Sequence, residues 1–192
     1  MKYSDIKKQT VSLFFPSSVS LFNERLFSVF QVLLASFCIG LFAQIKIPLF
    51  FTPVPFTLST IAILCVGLLL GKKKGALAVV CYLLEGSIGL PVFAGGNSGI
   101  FYLMGPTGGY LLGWVLQAYC IGWCAEKYGI LSFQKLMLVF IASIVLQLSL
   151  GSLWLSQFVG LDGCLAMGLY PFLLVDTIKA FFVALSINYG RR

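Results

Sequence analysis

Charged residues in this chain fall almost only at the ends of long apolar runs. Arg25 and Lys46 bracket twenty uncharged residues, Leu26 to Ile45, the length an α-helix needs to cross the hydrocarbon core of a bilayer. The next uncharged run reaches Gly71, but Pro48, Pro53 and Pro55 prevent a helix before about Phe56, because proline lacks the N–H a helix interior needs. The second span is therefore predicted over 56–71. Lys72, Lys73 and Lys74 end it, and a third follows over 75–90 with one acid, Glu85, inside. Residues 91–105 are rich in glycine and turn formers. A fourth span is predicted over 106–126, with Pro106 suited to a first helical turn. A fifth is expected over 135–157, and a sixth over 167–189 that carries Asp176 and Lys179.

Composition agrees with this pattern. Of 192 residues, 59% are hydrophobic and only 10% are charged, against roughly 25% charged in an ordinary soluble domain. A water-soluble chain of this size could not hide so much apolar surface. A cytosolic enzyme, a disordered chain and a nucleic-acid module are excluded, despite the net charge of +7. The fold predicted is an all-α polytopic membrane protein with one six-helix domain, 26–190. The first 25 residues are expected to form a cytoplasmic or interfacial leader, retained rather than cleaved. Pro16 interrupts its apolar run, and no small-residue cleavage site precedes Asn23-Glu24-Arg25.

The placement of basic residues orients the spans. With the N-terminus inside, the cytoplasmic segments hold Lys2, Lys7, Lys8, Arg25, Lys72 to Lys74, Lys127, Lys135, Arg191 and Arg192; the outer segments hold Lys46 alone. That bias fits the positive-inside rule and places both termini in the cytoplasm of a cell-membrane protein. Segments 46–55, 91–105 and 158–166 then lie outside. The first two are apolar and punctuated by Pro or Gly. Such segments suit loops that fold over a substrate cavity, where glycine lets backbone approach a ligand.

Absences limit the chemistry. The chain has no histidine, which removes Ser-His-Asp triads and the common histidine metal sites; no metal or cofactor is expected. Its six cysteines form no C-x-x-C pair and read as small membrane hydrophobes. Gly67 to Lys73 falls one residue short of a phosphate-binding loop and lacks the following Ser or Thr. The chain encodes no ATPase.

An ionisable residue inside a bilayer costs at least ~2.5–3.5 kcal/mol on insertion scales, so it faces a cavity or a partner. Asp176 and Lys179 are three apart and share a helix face. Counted from Pro171 they sit about 8 Å and about 12 Å into the sixth span, in its outer half, and Glu85 lies at similar depth. A carboxylate accepts N–H bonds and an ammonium donates to a carbonyl. Side by side they match a cyclic urea, an amide or a zwitterion, or they neutralise each other as a structural pair.

Several longer segments add a resemblance: Gln44-Ile-Lys-Ile-Pro48, Pro53-Val-Pro-Phe-Thr57, Gly67-Leu-Leu-Leu-Gly71, Tyr82-Leu-Leu-Glu-Gly-Ser-Ile-Gly-Leu-Pro-Val-Phe-Ala-Gly-Gly96, Gly105-Pro-Thr-Gly-Gly-Tyr-Leu-Leu-Gly113 and Pro171-Phe-Leu-Leu-Val-Asp-Thr-Ile-Lys-Ala180. In this order they resemble the BioY family, the substrate-binding (S) components of energy-coupling-factor (ECF) biotin transporters. The resemblance implies capture of biotin from outside in a pocket closed by the first and third loops, without covalent chemistry. It assigns Asp176 and Lys179 to the ureido head group, and Tyr82, Phe93, Gly95, Gly96 and Asn97 to the surroundings of the bicyclic ring. It also implies partners: a transmembrane coupling (T) protein served by two cytoplasmic ATPases. The T protein would dock on a small-residue face of the first helix, here Ala35, Ser36, Gly40 and Ala43. The family gives no account of Glu85. Two alternatives stand beside biotin capture: an S component for another small vitamin or heterocycle, and an intramembrane enzyme using Glu85 and Asp176 as an acid/base pair.

Overall fold

A computed structural model of the protein describes residues 21–129 and 132–189, with side chains from Glu24 onward. Its elements are α1 (Leu21–Gln44), β1 (Lys46–Ile47), β2 (Phe56–Thr57), α2 (Ser59–Ser87), α3 (Ile100–Met104), α4 (Gly108–Tyr128), α5 (Phe133–Cys164) and α6 (Tyr170–Tyr189). Of the leader expected over 1–25, residues 1–20 lie outside the described residues and the rest already belong to α1. The antiparallel pair β1–β2, with Lys46 opposite Thr57 and Ile47 opposite Phe56, is a small departure from an all-α chain.

α2 is a hairpin rather than a rod. Gly71 has φ 78° and ψ 178°, a conformation open to glycine and strained for other residues. A Cβ on Gly75 would come within 3.2 Å of the Cα of Gly67; in an unbroken helix, residues eight apart lie about 12 Å from each other. The arms 59–70 and 72–87 therefore fold back on one another, as the sequence predicts for its second and third apolar runs. The three lysines expected to form the turn instead open the second arm. The backbone N–H of Lys72 donates to Glu126 Oε1 at 3.0 Å, and its Nζ lies 3.4 Å from Oε2. Glu126, near the end of α4, thus takes up one of the N–H groups a helix start leaves open. The ion pair itself is about one-third exposed and adds little.

The segment expected to be an outer loop over 158–166 is helical. The helix breaks at Gly160 (φ 79°, ψ 169°), a second short helical stretch reaches Cys164, and a π-helical turn, Leu165–Leu169, delivers the chain to α6. Glycine permits the change of direction without a loop. The middle outer segment likewise contains a short helix, α3.

Two apolar clusters hold the bundle together. One joins α1, α2 and α4 through Val32, Ile39, Ala43, Ala78, Tyr82 and Leu111. The other joins α2, α4, α5 and α6 through Leu64, Tyr110, Ile144, Leu155 and Ala180. Small residues set the helix spacing: a Cβ on Gly67 would stand 2.9 Å from the carbonyl oxygen of Ala118. The outward surface is also apolar. Leu33, Phe37, Leu69, Leu138 and Leu174 are each at least half exposed, a belt too extensive for a water-facing surface. Glu24–Gln44 and Phe133–Tyr189 are long and apolar enough to cross a bilayer, both with hydropathy 2.2.

Candidate functional site

The proline-rich segment between α1 and α2 turns back on itself. Leu58 N–H donates to the Ile45 carbonyl at 3.2 Å, and Val54 N–H to Thr52 Oγ1 at 3.2 Å. The turn points the Thr57 carbonyl at α6, where Lys179 Nζ donates to it at 2.6 Å. Lys179 also donates to Asp176 Oδ1 at 2.7 Å and lies 3.9 Å from the centroid of the Phe56 ring. Two of its three donors are thus used by oxygen, and the ring face takes up residual charge. Thr60, in the first turn of α2, interacts with the Asp176 carboxylate. Asp176 is 3% and Lys179 6% exposed, so the pair is internal, with one link to the proline-rich loop and one to α2.

Beside Thr57 a small, partly open cavity enters the protein. Ala43, Val54, Pro55, Thr57, Ser59, Tyr82, Ala94, Tyr102, Thr107, Tyr110, Leu111 and Trp114 line it. The wall is mainly apolar, four of its residues are aromatic, and it carries a few polar atoms. Tyr82 packs against Trp114, ring centroids 6.3 Å apart. The Tyr110 hydroxyl is already engaged, donating to the Gly168 carbonyl at 3.0 Å. Ser59 Oγ is buried with no hydrogen-bond partner. Burial pushes the Tyr102 phenol above its ordinary pKa, while the Thr107 hydroxyl pulls it down; the phenol keeps its proton at neutral pH. Flat aromatic faces with convergent donors and acceptors suit a neutral, ring-shaped ligand.

The residues expected from the sequence take different places around this cavity. Tyr82 is in the wall. Phe93 is completely buried behind it, edge-on to Tyr82 at 5.5 Å and stacked on Tyr102 at 5.1 Å, so it supports the wall. Gly95 (φ 69°) and Gly96 (φ 78°) form the turn after Ala94. Asn97 Nδ2 donates to the Ala94 carbonyl at 2.7 Å and braces that turn. Asp176 and Lys179 adjoin the cavity through Thr57 rather than lining it. The sequence reading missed Ser59, Tyr102, Tyr110 and Trp114 as lining residues. The available signal was a set of aromatic side chains on the short helix and helix start that follow the glycine-rich outer segment.

The small-residue face of α1 needs correction as a docking surface. Ala35, Ser36, Gly40 and Ala43 are all buried. Gly40 faces Val92, whose Cβ would stand 3.4 Å from an added Cβ. Ser36 Oγ donates to Glu85 Oε2 at 2.6 Å. The stripe lets α1 lie close against α2 and the glycine-rich loop, and it accounts for Glu85: this carboxylate links α1 to the second arm of α2. Glu85 and Asp176 have separate partners, so the structure does not bring them together as an acid/base pair.

An apolar helical bundle with a part-aromatic cavity and a buried ion pair beside it suits a membrane protein of the small-ligand-binding class. The profile of the BioY family matches residues 17–192, and the chain belongs to that family. It is 38% identical over 170 residues to the biotin transporter BioY2 of Lactococcus lactis subsp. cremoris, covering 85% of this chain and 89% of that protein. It is 42% identical over 144 residues to the biotin transporter BioY of Thermotoga maritima, covering 74% and 83%. Among solved structures, it matches the crystal structure of the S-component for biotin from an ECF-type ABC transporter with a TM-score of 0.79 at 28% identity, covering 90% of this chain and 95% of that one.

Proposed function

We propose that this chain is the biotin-capturing S component of an ECF-type transporter, binding the vitamin from outside and passing it inward with coupling partners. The observation that carries the reading is the Asp176–Lys179 pair, held at the Thr57 end of the cavity that Tyr82, Tyr102, Tyr110 and Trp114 help to line. A cyclic urea presents two N–H donors to Asp176 and one carbonyl to Lys179, replacing the Thr57 carbonyl as acceptor. The bicyclic ring then lies against Tyr82 and Trp114. Six spans, formed by α1, the two arms of α2, α4, α5 and α6, place both termini in the cytoplasm and the two outer loops over the cavity. A T protein and two cytoplasmic ATPases supply the energy for release.

The test is calorimetric titration of the purified protein in detergent with biotin, desthiobiotin, riboflavin and thiamine. One-to-one binding of biotin and desthiobiotin, which share the ureido group, with no binding of the other two, is the expected result. Asp176→Asn should weaken both by at least about tenfold, the worth of a charge-assisted hydrogen bond, while thermal unfolding still shows a folded protein. Riboflavin or thiamine binding in place of biotin would transfer the site to another vitamin.

A further inference from the structure

We propose that Lys46 receives the carboxylate of the ligand's tail, so that the site selects an anionic end as well as a neutral ring. The inference rests on the biotin reading above and adds a second point of recognition to the same site. Lys46 opens β1 and stands opposite Thr57 in the antiparallel pair, and Thr57 lines the cavity. Its side chain crosses to the other loop. The atoms an added Cβ on Gly95 would meet are Cδ, Cε and Nζ of Lys46, and the neighbouring Ala94 lines the cavity as well. The ammonium therefore sits where the proline-rich and glycine-rich loops meet, over the rim of the cavity. Gly95, at φ 69°, leaves the space in which the lysine stem lies.

The charge is available there. Lys46 is exposed, and among the described residues no carboxylate pairs with it: Asp176 is held by Lys179, Glu126 by Lys72 and Glu85 by Ser36, and neither Glu24 nor Asp162 forms an ion pair with it. No acidic side chain lines the cavity, so nothing in its wall competes for the ammonium. A carboxylic acid with an ordinary pKa near 4 is ionised at neutral pH, and an ammonium on a flexible four-carbon stem can follow it. With the ring on Tyr82 and its head toward Asp176 and Lys179, a tail directed to the rim ends beside Lys46. The two lysines then have separate tasks: Lys179 binds a neutral carbonyl inside, and Lys46 an anion at the entrance.

The experiment compares biotin with its methyl ester, which has the same ring and an uncharged tail, on wild-type protein, Lys46→Met and Lys46→Arg, each checked for folding by thermal unfolding. Wild type should prefer the acid by about tenfold, and added salt should erode that preference. Lys46→Met should lose the preference by weakening biotin alone, and Lys46→Arg should restore it. If Lys46→Met keeps the preference, or weakens acid and ester equally, the inference is overturned while the biotin reading stands. If folded wild-type protein binds neither ligand, both fall together.

Discussion

The two loops that close the cavity are built on opposite principles. The first, between α1 and α2, carries Pro48, Pro53 and Pro55 and has no residue at positive φ; its covalent geometry restricts it even in an unfolded chain. The second, between α2 and α4, turns at Gly89, Gly95, Gly96 and Gly99, all at positive φ. Free glycine prefers no such shape, so this loop is held by contacts. Gly99 N–H donates to the Gly86 carbonyl at 2.7 Å, and the Phe93 ring occupies the space a Cβ on Gly86 would need. Gln44 Nε2, at the end of α1, reaches the carbonyls of Pro91, Val92 and Phe93 at 3.3–3.4 Å. A preset loop can present a rigid carbonyl, such as that of Thr57. A contact-held loop can follow what lies beneath it.

Unhooking the proline-rich loop from α6 is expected to have the largest effect. Lys179→Met removes the donor to Thr57 and leaves Asp176 buried without its cation. Breaking a buried pair from one side costs about 3–5 kcal/mol, so the variant should show a strongly lowered midpoint in thermal unfolding, followed by tryptophan fluorescence in detergent. A midpoint near wild type would mean that the preset loop needs no anchor on α6 and that Asp176 is readily neutralised.

The contrast between the loops also explains what could be read from the sequence. Helix positions followed from Arg25, Lys46, Lys72 and Glu126, because charges at the ends of apolar runs report local chemistry. The proline-rich turn was legible for the same reason: each proline constrains its own backbone. The face of α1 was not, because the inward direction of Ser36 is set by Glu85, forty-nine residues later. Nor was the course of α5, since helical structure resumes directly after the break at Gly160 and nothing adjacent in sequence announces it. The pairing of Asp176 with Lys179 was legible from charge and spacing, whereas the group of Tyr102, Tyr110 and Trp114 is assembled from α3 and α4 by tertiary packing.

Two substitutions in open positions separate the principles directly, since neither removes a packed side chain. Gly96 has φ 78° and nothing within 4 Å of an added Cβ, so Gly96→Ala meets only backbone strain, about 1–2 kcal/mol. The effect acts on the folded state: unfolding should accelerate and ligand affinity should fall with it, because Ala94 and Gly95 share the strained turn. A neutral Gly96→Ala would mean that the glycine-rich loop relaxes freely to other conformations.

Pro53 is exposed, and Pro53→Ala frees the unfolded chain while leaving the folded contacts in place, a cost of about 0.4–1 kcal/mol. The midpoint should drop slightly with ligand affinity unchanged, since Pro53 is not among the residues that line the cavity. Affinity that falls along with stability would show that proline shapes the bound loop as well as restricting the unfolded one. The two loops would then differ in the residues they use rather than in the state those residues act on.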